Sequence, residues 1–330
     1  MSDRLQSMVQ WLNGLGYHNY TLSSASEDAS FRSYQRLQHG QNSWVVMDAP
    51  PEKEPCDRFI EIAAKLRQAG LSAPEVIHQN LELGFLLLTD LGETPYLSAL
   101  NADSKESLYG DAQDALLQMQ VNVPSQSLPT YSRELLNQEM DLFHDWFLGE
   151  LFGIQLNKLQ QRLWISIKQT LIQNALEQPQ LFVHRDYHSR NLMRIEGNNP
   201  GIIDFQDAVC GPITYDLVSM LRDCYIDWPI AEVESLALGY YQAAKAASLL
   251  DVEPQQFLKW FNLMGIQRHL KAVGIFSRLK IRDGKSAYLK DIPRTLYYLF
   301  QVSDLESSLV GLNDLMAELN LSERTKSMTE

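Results

Sequence analysis

The chain has 330 residues, 45% hydrophobic and 21% charged, an ordinary globular balance with length enough for one large domain or two lobes. Its 28 Lys plus Arg against 41 Asp plus Glu give a formal net charge of −13, which argues against nucleic acid or an anionic membrane surface as the main partner. Cys56, Cys210 and Cys224 form neither a paired framework nor a zinc-ligand spacing, and no apolar run approaches the length needed to cross a bilayer, so a reduced, cytoplasmic protein is expected.

At the amino terminus, Leu5, Met8, Val9 and Leu12 recur at helical spacing in "MSDRLQSMVQWLNGLG", which predicts an amphipathic helix and not a signal peptide. "YTLSSASEDAS", "FRSYQRLQ" and "SWVVMDAP" read as three extended segments, the second pair joined by the turn "HGQN". A helix follows from about Pro55 to Gly70, with Phe59, Ile62, Ala63 and Leu66 on its buried face, and then two strands, "PEVIHQN" and "GFLLLTDLG". Beyond "LGETPYL" the pattern changes to long helices such as "YSRELLNQEMDLFHDWFLGELF" and "LNKLQQRLWISIKQTLIQNALEQ". A short strand-loop-strand insert covers residues 181 to 206, a helix opens near Pro212, and helices run on to about Leu321. The expected class is α+β in two lobes: residues 1–92 with a small antiparallel sheet, and residues 93–330, mainly helical.

Within the insert, "VHRDYHSRNLMRIEGNNPGIIDFQD" places Asp186 and Asn191 in the loop between two strands and Asp204 at the end of a third. The turn "GNNPG" reverses the chain and brings Asn191 and Asp204 together. Phosphoryl transfer from a nucleotide needs such a set: a carboxylate to take the proton of the attacking hydroxyl, and oxygen ligands to fix magnesium. Asp186 suits the first task, Asn191 and Asp204 the second. Singly, each is more often a solvated turn residue, and His184 a packing histidine; the joint pattern H-R-D-x-x-x-x-N followed by a strand and Asp-Phe reverses that balance.

The block "HRDYHSRNLM…GIIDFQDAVCGPITYDLVSMLRDCY" resembles the aminoglycoside phosphotransferase and choline kinase superfamily, which has a protein-kinase-like bilobal fold. Within it, the chain is most similar to the bacterial anomeric kinases that phosphorylate N-acetylmuramate and N-acetylglucosamine at C1 in cell-wall recycling, a likeness that extends through "ASEDASFRSYQRL", "LLLTDLG" and "GIQRHLKAVGIFSRL". The resemblance implies ATP and Mg²⁺ as cofactors, a nucleotide-binding first lobe, a small sugar as the acceptor, and a second lobe carrying the catalytic loop. It also likens Asp216 in "TYDLVSML" to the helix aspartate that holds the catalytic loop, with His184 as further support.

The nucleotide side departs from the kinase pattern. "SSASEDASFRSY" has small residues, including Ser30, but no glycine, and the third strand carries Met47 where kinases place a phosphate-binding lysine. Arg32 is the candidate replacement, since a guanidinium makes bidentate contacts to phosphate oxygens, with Lys53 a weaker one. The backbone of Thr89, Asp90 and Leu91 would meet the adenine edge. Glu61 reads as a surface partner of Lys65. On the acceptor side, His188, Arg190, Gln206 and Asp207 are the candidate sugar contacts. Arg222, Asp223, Arg268, His269 and Lys271 are charges on otherwise apolar helices, more often ion-paired or solvated than ligand-binding, though they could meet a sugar acid's carboxylate. Phe143, Trp146 and Phe147 read as core. Two rival functions stay open: a kinase for aminoglycosides or other small amines, and a nucleotide-binding pseudokinase without turnover.

Overall fold

In the structure, a computed structural model describing residues 3–26, 31–309 and 311–329, the elements follow in order as α1 (Asp3–Gly14), β1 (Thr21–Ser26), β2 (Ser33–His39), β3 (Asn42–Asp48), α2 (Asp57–Gln68), β4 (Val76–Asn80), β5 (Phe85–Thr89), α3 (Tyr96–Ala99) and α4 (Lys105–Asn122). They continue as α5 (Arg133–Leu142), a π-helical segment (Phe143–Leu151), α6 (Lys158–Glu177), β6 (Gln180–Val183), β7 (Leu192–Met193), β8 (Gly201–Ile202), β9 (Val209–Pro212), α7 (Tyr215–Leu221), α8 (Ile230–Ala246), α9 (Pro254–Asp283), α10 (Ile292–Leu305), α11 (Leu312–Glu318) and α12 (Leu321–Thr325). Packing groups the chain into two compact units: Met1–Asp111 with Arg190–Asp207, and Ala112–Ser189 with Ala208–Glu330. Among the described residues, no helix is long and apolar enough to cross a membrane.

The first unit is built on an antiparallel sheet of order β1-β2-β3-β5-β4. Period-two alternation sends Val46, Phe85 and Leu87 to one face with Leu37, and Met8 and Leu12, one helical turn apart on α1, complete a fully buried cluster there. Burying side chains of this size stabilises by about 1.5–3 kcal/mol each before entropy is counted. Arg4 of α1 clamps Asp48 at the end of β3, its Nε 2.8 Å from Oδ1. The 190–207 segment joins this unit through backbone pairing: Ser72 bridges Gly201 in parallel, Ile202 N donates to Ser72 O at 2.7 Å, and Pro95 bridges Met193. Asn198 Nδ2 donates to Gly70 O at 2.8 Å, and Phe205 packs against Phe59 of α2 with ring centroids 4.9 Å apart.

The second unit is organised around α9, 30 residues long. Its sequence sets both ends: Pro254 opens it where an amide hydrogen is not needed, and Gly284 closes it in the left-handed region at φ 70°. α6 begins with a reciprocal cap, Asn157 accepting from the amides of Leu159 and Gln160 while Gln160 accepts from the Asn157 amide.

Two expectations need correction here. The helix read through residues 131–152 is α-helical only to Leu142, then widens to π geometry from Phe143 to Leu151, with Phe143 and Phe147 buried as expected of core. The stretch after Asp207, read as loop running into a helix near Pro212, forms β9, which pairs antiparallel with β6, and the helix starts at Tyr215. Gly211 and Pro212 disguise the strand. A Cβ on Gly211 would stand 3.0 Å from the Tyr131 ring, so the glycine serves close packing and not a turn.

Candidate active site

In the first unit, the turn between β7 and β8 delivers Asn191 to Asp204. Ile203 N donates to Asn191 O at 3.1 Å, Asn191 Nδ2 donates to Asp204 Oδ2 at 3.1 Å, and Gln206 Nε2 donates to Asp204 Oδ1 at 2.8 Å. Asp204 holds φ 64°, a left-handed conformation unusual for a non-glycine residue and of a kind that collects at functional sites. Gln206 is buried, and its Oε1 has no hydrogen-bond partner among the described residues. A carboxylate and two amide oxygens within one short segment are hard oxygen donors, the kind magnesium selects, and the Gln206 oxygen, with no partner among the described residues, fits that set. Sulfur and imidazole take no part in this cluster, and among the described residues no group of three or more His, Cys, Asp or Glu is placed to hold a metal. Arg190, partly buried, and Asp207, exposed, belong to the same unit.

In the second unit, Asp186 and His188 line a pocket with Tyr215, Cys224, Tyr225, Arg268, Lys271, Ala272, Ile275 and Phe276. Arg268, Lys271, Ala272, Ile275 and Phe276 follow one another at helical spacing, so a single face of α9 supplies much of the wall. Burial alone would raise the Asp186 carboxyl, but Lys271 first, then His188, Arg268 and Arg185, hold it below the ordinary carboxylate range. It is therefore an ionised proton acceptor at neutral pH.

The loop carrying Asp186 is fixed from beneath by Asp216. Its Oδ2 accepts from His184 N at 2.6 Å and its Oδ1 from Arg185 N at 3.0 Å. His184 is buried, and its Nδ1 receives the Asp186 amide at 3.3 Å. Arg185 sits at φ 79°, and its Nη2 donates to Glu139 Oε1 at 2.6 Å. Further along, Ser189 N donates to Asp223 Oδ2 at 2.9 Å. Glu139 is a buried hub: Lys271 Nζ lies 3.1 Å from Oε1, while Tyr131 and Gln267 donate to Oε2. Burial would raise its carboxyl, and Lys271 with Arg185 bring it below the usual range.

The residues expected to meet the nucleotide are already engaged. Arg32, almost fully buried, pairs with Glu54 at 2.9 Å, and Lys53 stands over the Phe31 ring. Met47 is core. Thr89 N donates to Glu75 O and Thr89 Oγ1 accepts from Glu75 N, so its amide is spent on a neighbouring chain segment and cannot donate to a base edge. Asp90 binds Arg36, with Nε 2.6 Å from Oδ2, and also takes the Ser43 hydroxyl and the Gly92 amide. Burial raises the Asp90 carboxyl, and these donors more than offset it. Leu91 packs beside Gly201. Ser30 lies outside the described residues. Glu61 pairs with Lys65 at 2.7 Å on the surface, as its position implied.

Residues 21–253 match the phosphotransferase enzyme family, APH. The chain belongs to that family. This phosphotransferase is 43% identical, over 97% of its own length and 98% of the relative's, to the N-acetylmuramate/N-acetylglucosamine kinase of Pseudomonas putida, and 44% identical, over 90% and 88%, to the protein of that name in Pseudomonas aeruginosa. Its fold matches the ADP-bound aminoglycoside phosphotransferase APH(2'')-Ib with a TM-score of 0.57 at 17% identity, covering 89% of this chain and 97% of the other.

Residues that the sequence left undecided or passed over stand in or beneath the Asp186 pocket. Arg268 and Lys271 line it, and Glu139 braces both Lys271 and the loop arginine. A signal for Glu139 was present: Leu136, Glu139, Met140 and Phe143 follow at intervals of three and four, which puts the one charge in that run on the buried stripe. Arg222 and His269 do not reach the pocket lining. Arg222 Nη2 donates to Asn262 at 2.6 Å and His269 Nε2 meets Arg222 O at 2.9 Å, both in the core.

Proposed function

We propose that this phosphotransferase transfers the γ-phosphoryl group of ATP to a hydroxyl of a small N-acetylated amino sugar, at C1 of N-acetylmuramate or N-acetylglucosamine, in peptidoglycan recycling in the cytoplasm. Residues 1–92 would serve as the nucleotide lobe and residues 93–330 as the acceptor lobe. The observation that carries the reading is Asp186, a carboxylate kept ionised inside a pocket lined by aromatic and hydrogen-bonding side chains. The names of the similar kinases support the sugar.

In this reading Asp186 orients the acceptor hydroxyl and takes its proton as the oxygen attacks phosphorus in line. An anomeric hydroxyl is more acidic than an ordinary alcohol, which suits a base whose own basicity is depressed. Asn191 and Asp204 would hold magnesium, with Gln206 within reach of the same ion, and the ion when bound supplies charge to the β and γ phosphates. Arg32 would reach phosphate only by exchanging it for Glu54, and the Asp90–Leu91 backbone remains the proposed adenine edge. His188 is assigned to the sugar hydroxyls, Arg190 and Asp207 to outer contacts, and Asp216 with His184 to holding the loop.

Among the rival functions, an amine kinase is disfavoured by the pocket wall. Arg268 would repel a polycation, for which an acidic lining is needed. Turnover measured side by side with N-acetylmuramate, N-acetylglucosamine and an aminoglycoside tests the assignment, with phosphorus NMR locating the new ester. The sugars should be phosphorylated at C1, and preference for the aminoglycoside would overturn the substrate class.

A further inference from the structure

Arg268 is buried, at 6% exposure, and no carboxylate among the described residues pairs with it directly, although Asp223 and Asp186 act on its charge from further away. Its Nε donates to Ser219 Oγ at 2.6 Å and its Nη1 approaches Cys224 Sγ at 3.5 Å. Nη2 makes no hydrogen bond among the described residues, and no described carboxylate stands within ion-pair distance. A guanidinium cannot shed its charge, and an anion in direct contact stabilises it further. The other pocket cation is differently placed: Lys271 is neutralised by Glu139 and hydrogen-bonded to Tyr215 Oη at 2.9 Å. Arg268 is thus the pocket cation with no carboxylate in direct contact among the described residues, and it faces the same space as Asp186.

An incoming anion satisfies it. Asp186 acts on Arg268 across the pocket but lies beyond ion-pair distance, which leaves Nη2 open to a ligand. The phosphate donor brings its own proposed magnesium and first-unit ligands, so the unclaimed anion belongs to the acceptor. N-acetylmuramate and N-acetylglucosamine differ in this respect: the former carries a lactyl ether whose carboxylate the latter lacks. The remaining wall, Ala272, Ile275 and Phe276, with Phe276 stacked on Tyr288 at 5.7 Å between centroids, is apolar and suits the lactyl methyl beside that carboxylate.

We propose that Arg268 binds the carboxylate of an acidic sugar in the acceptor pocket and so sets the preference of this enzyme for N-acetylmuramate over N-acetylglucosamine, an inference that rests on the sugar-kinase reading. A charge-assisted contact of this kind lowers KM for the acid without entering the chemical step. Serine and cysteine partners on two of its nitrogens fix the plane of the guanidinium and leave the third for the ligand.

The test is the ratio of kcat/KM for N-acetylmuramate to that for N-acetylglucosamine in the wild type, Arg268→Gln and Arg268→Lys. The ratio should fall about 10-fold or more in Arg268→Gln, mostly through KM for the acid, and recover in part in Arg268→Lys. Equal losses for both sugars would overturn the proposal and make Arg268 a positioning residue for Asp186. Should Arg268→Gln fail to fold, the wild type decides with N-acetylmuramate and its uncharged methyl ester: the acid should bind more tightly, and an ester that binds as well as the acid refutes the contact. If neither sugar is phosphorylated by the wild type, the functional reading itself fails, and this inference falls with it.

Discussion

Asp186 illustrates how a single carboxylate is set for its task by neighbours distant in sequence. Burial pushes its affinity for a proton up, and Lys271, His188, Arg268 and Arg185 pull it down further than burial raises it. Asp216, which holds the same loop, behaves oppositely: burial raises its carboxyl from 3.8 to about 7, the amides of His184 and Arg185 work against that rise, and Asp186 adds to it. The sign of its linkage to folding follows. Between 3.8 and about 7 the native carboxyl keeps a proton that the unfolded chain has released, so the stability it contributes is full below 3.8, declines as pH rises through that window and is flat above it. Thermal midpoints measured from pH 4 to 8 should therefore fall more steeply with pH in the wild type than in Asp216→Asn, which cannot titrate. Parallel curves for the two proteins would show that Asp216 titrates as it would in the unfolded chain. At this scale the sequence was most informative where residues were contiguous. Asp186, Asn191 and Asp204 were visible because motif spacing encodes them, whereas Glu139 and Arg268 act through tertiary contacts to residues 46 and 49 positions away, Arg185 and Ser219.

Elements were legible where the local pattern and the tertiary environment agree. The sheet strands, α2 and α6 stand close to their expected bounds because alternation, caps and apolar stripes all indicate the same conformation. β9 escaped notice because its ladder partner is β6, across an intervening hairpin, and its Gly and Pro are local turn signals. The switch from α to π geometry at Phe143 is likewise set by packing against α9. Gly274 makes that approach possible: a Cβ there would stand 2.4 Å from the backbone carbon and 2.6 Å from the carbonyl oxygen of Leu142. Backbone atoms cannot rotate aside as a side chain does. Gly274→Ala should therefore cost about 1–3 kcal/mol in denaturant unfolding, despite alanine's better helix propensity. A neutral or stabilising result would mean that α9 and the π segment can separate at little cost.

For the whole molecule, the proposed function requires that nucleotide and cation bind the native protein and not the unfolded chain. Saturating ATP with Mg²⁺, at roughly 100 times the dissociation constant, should stabilise by about 2.7 kcal/mol and raise the melting temperature accordingly. Asn191→Ala should lose the part of that shift that depends on Mg²⁺ while keeping its ligand-free melting temperature, since its side chain is partly exposed and binds Asp204. An unchanged Mg²⁺-dependent shift would place the cation elsewhere. Bulk composition argues only against nucleic acid and anionic membrane surfaces; the net charge of −13 did not disclose a pocket whose wall carries Arg268 and Lys271. In the proposed mechanism phosphorylation as a whole passes through Asp186, so the most direct measurement is turnover of ATP and N-acetylmuramate by Asp186→Asn, with native folding verified by circular dichroism. A loss of roughly 10²-fold or more in kcat is predicted, the range of a general base; near-normal turnover would contradict the mechanism at its centre.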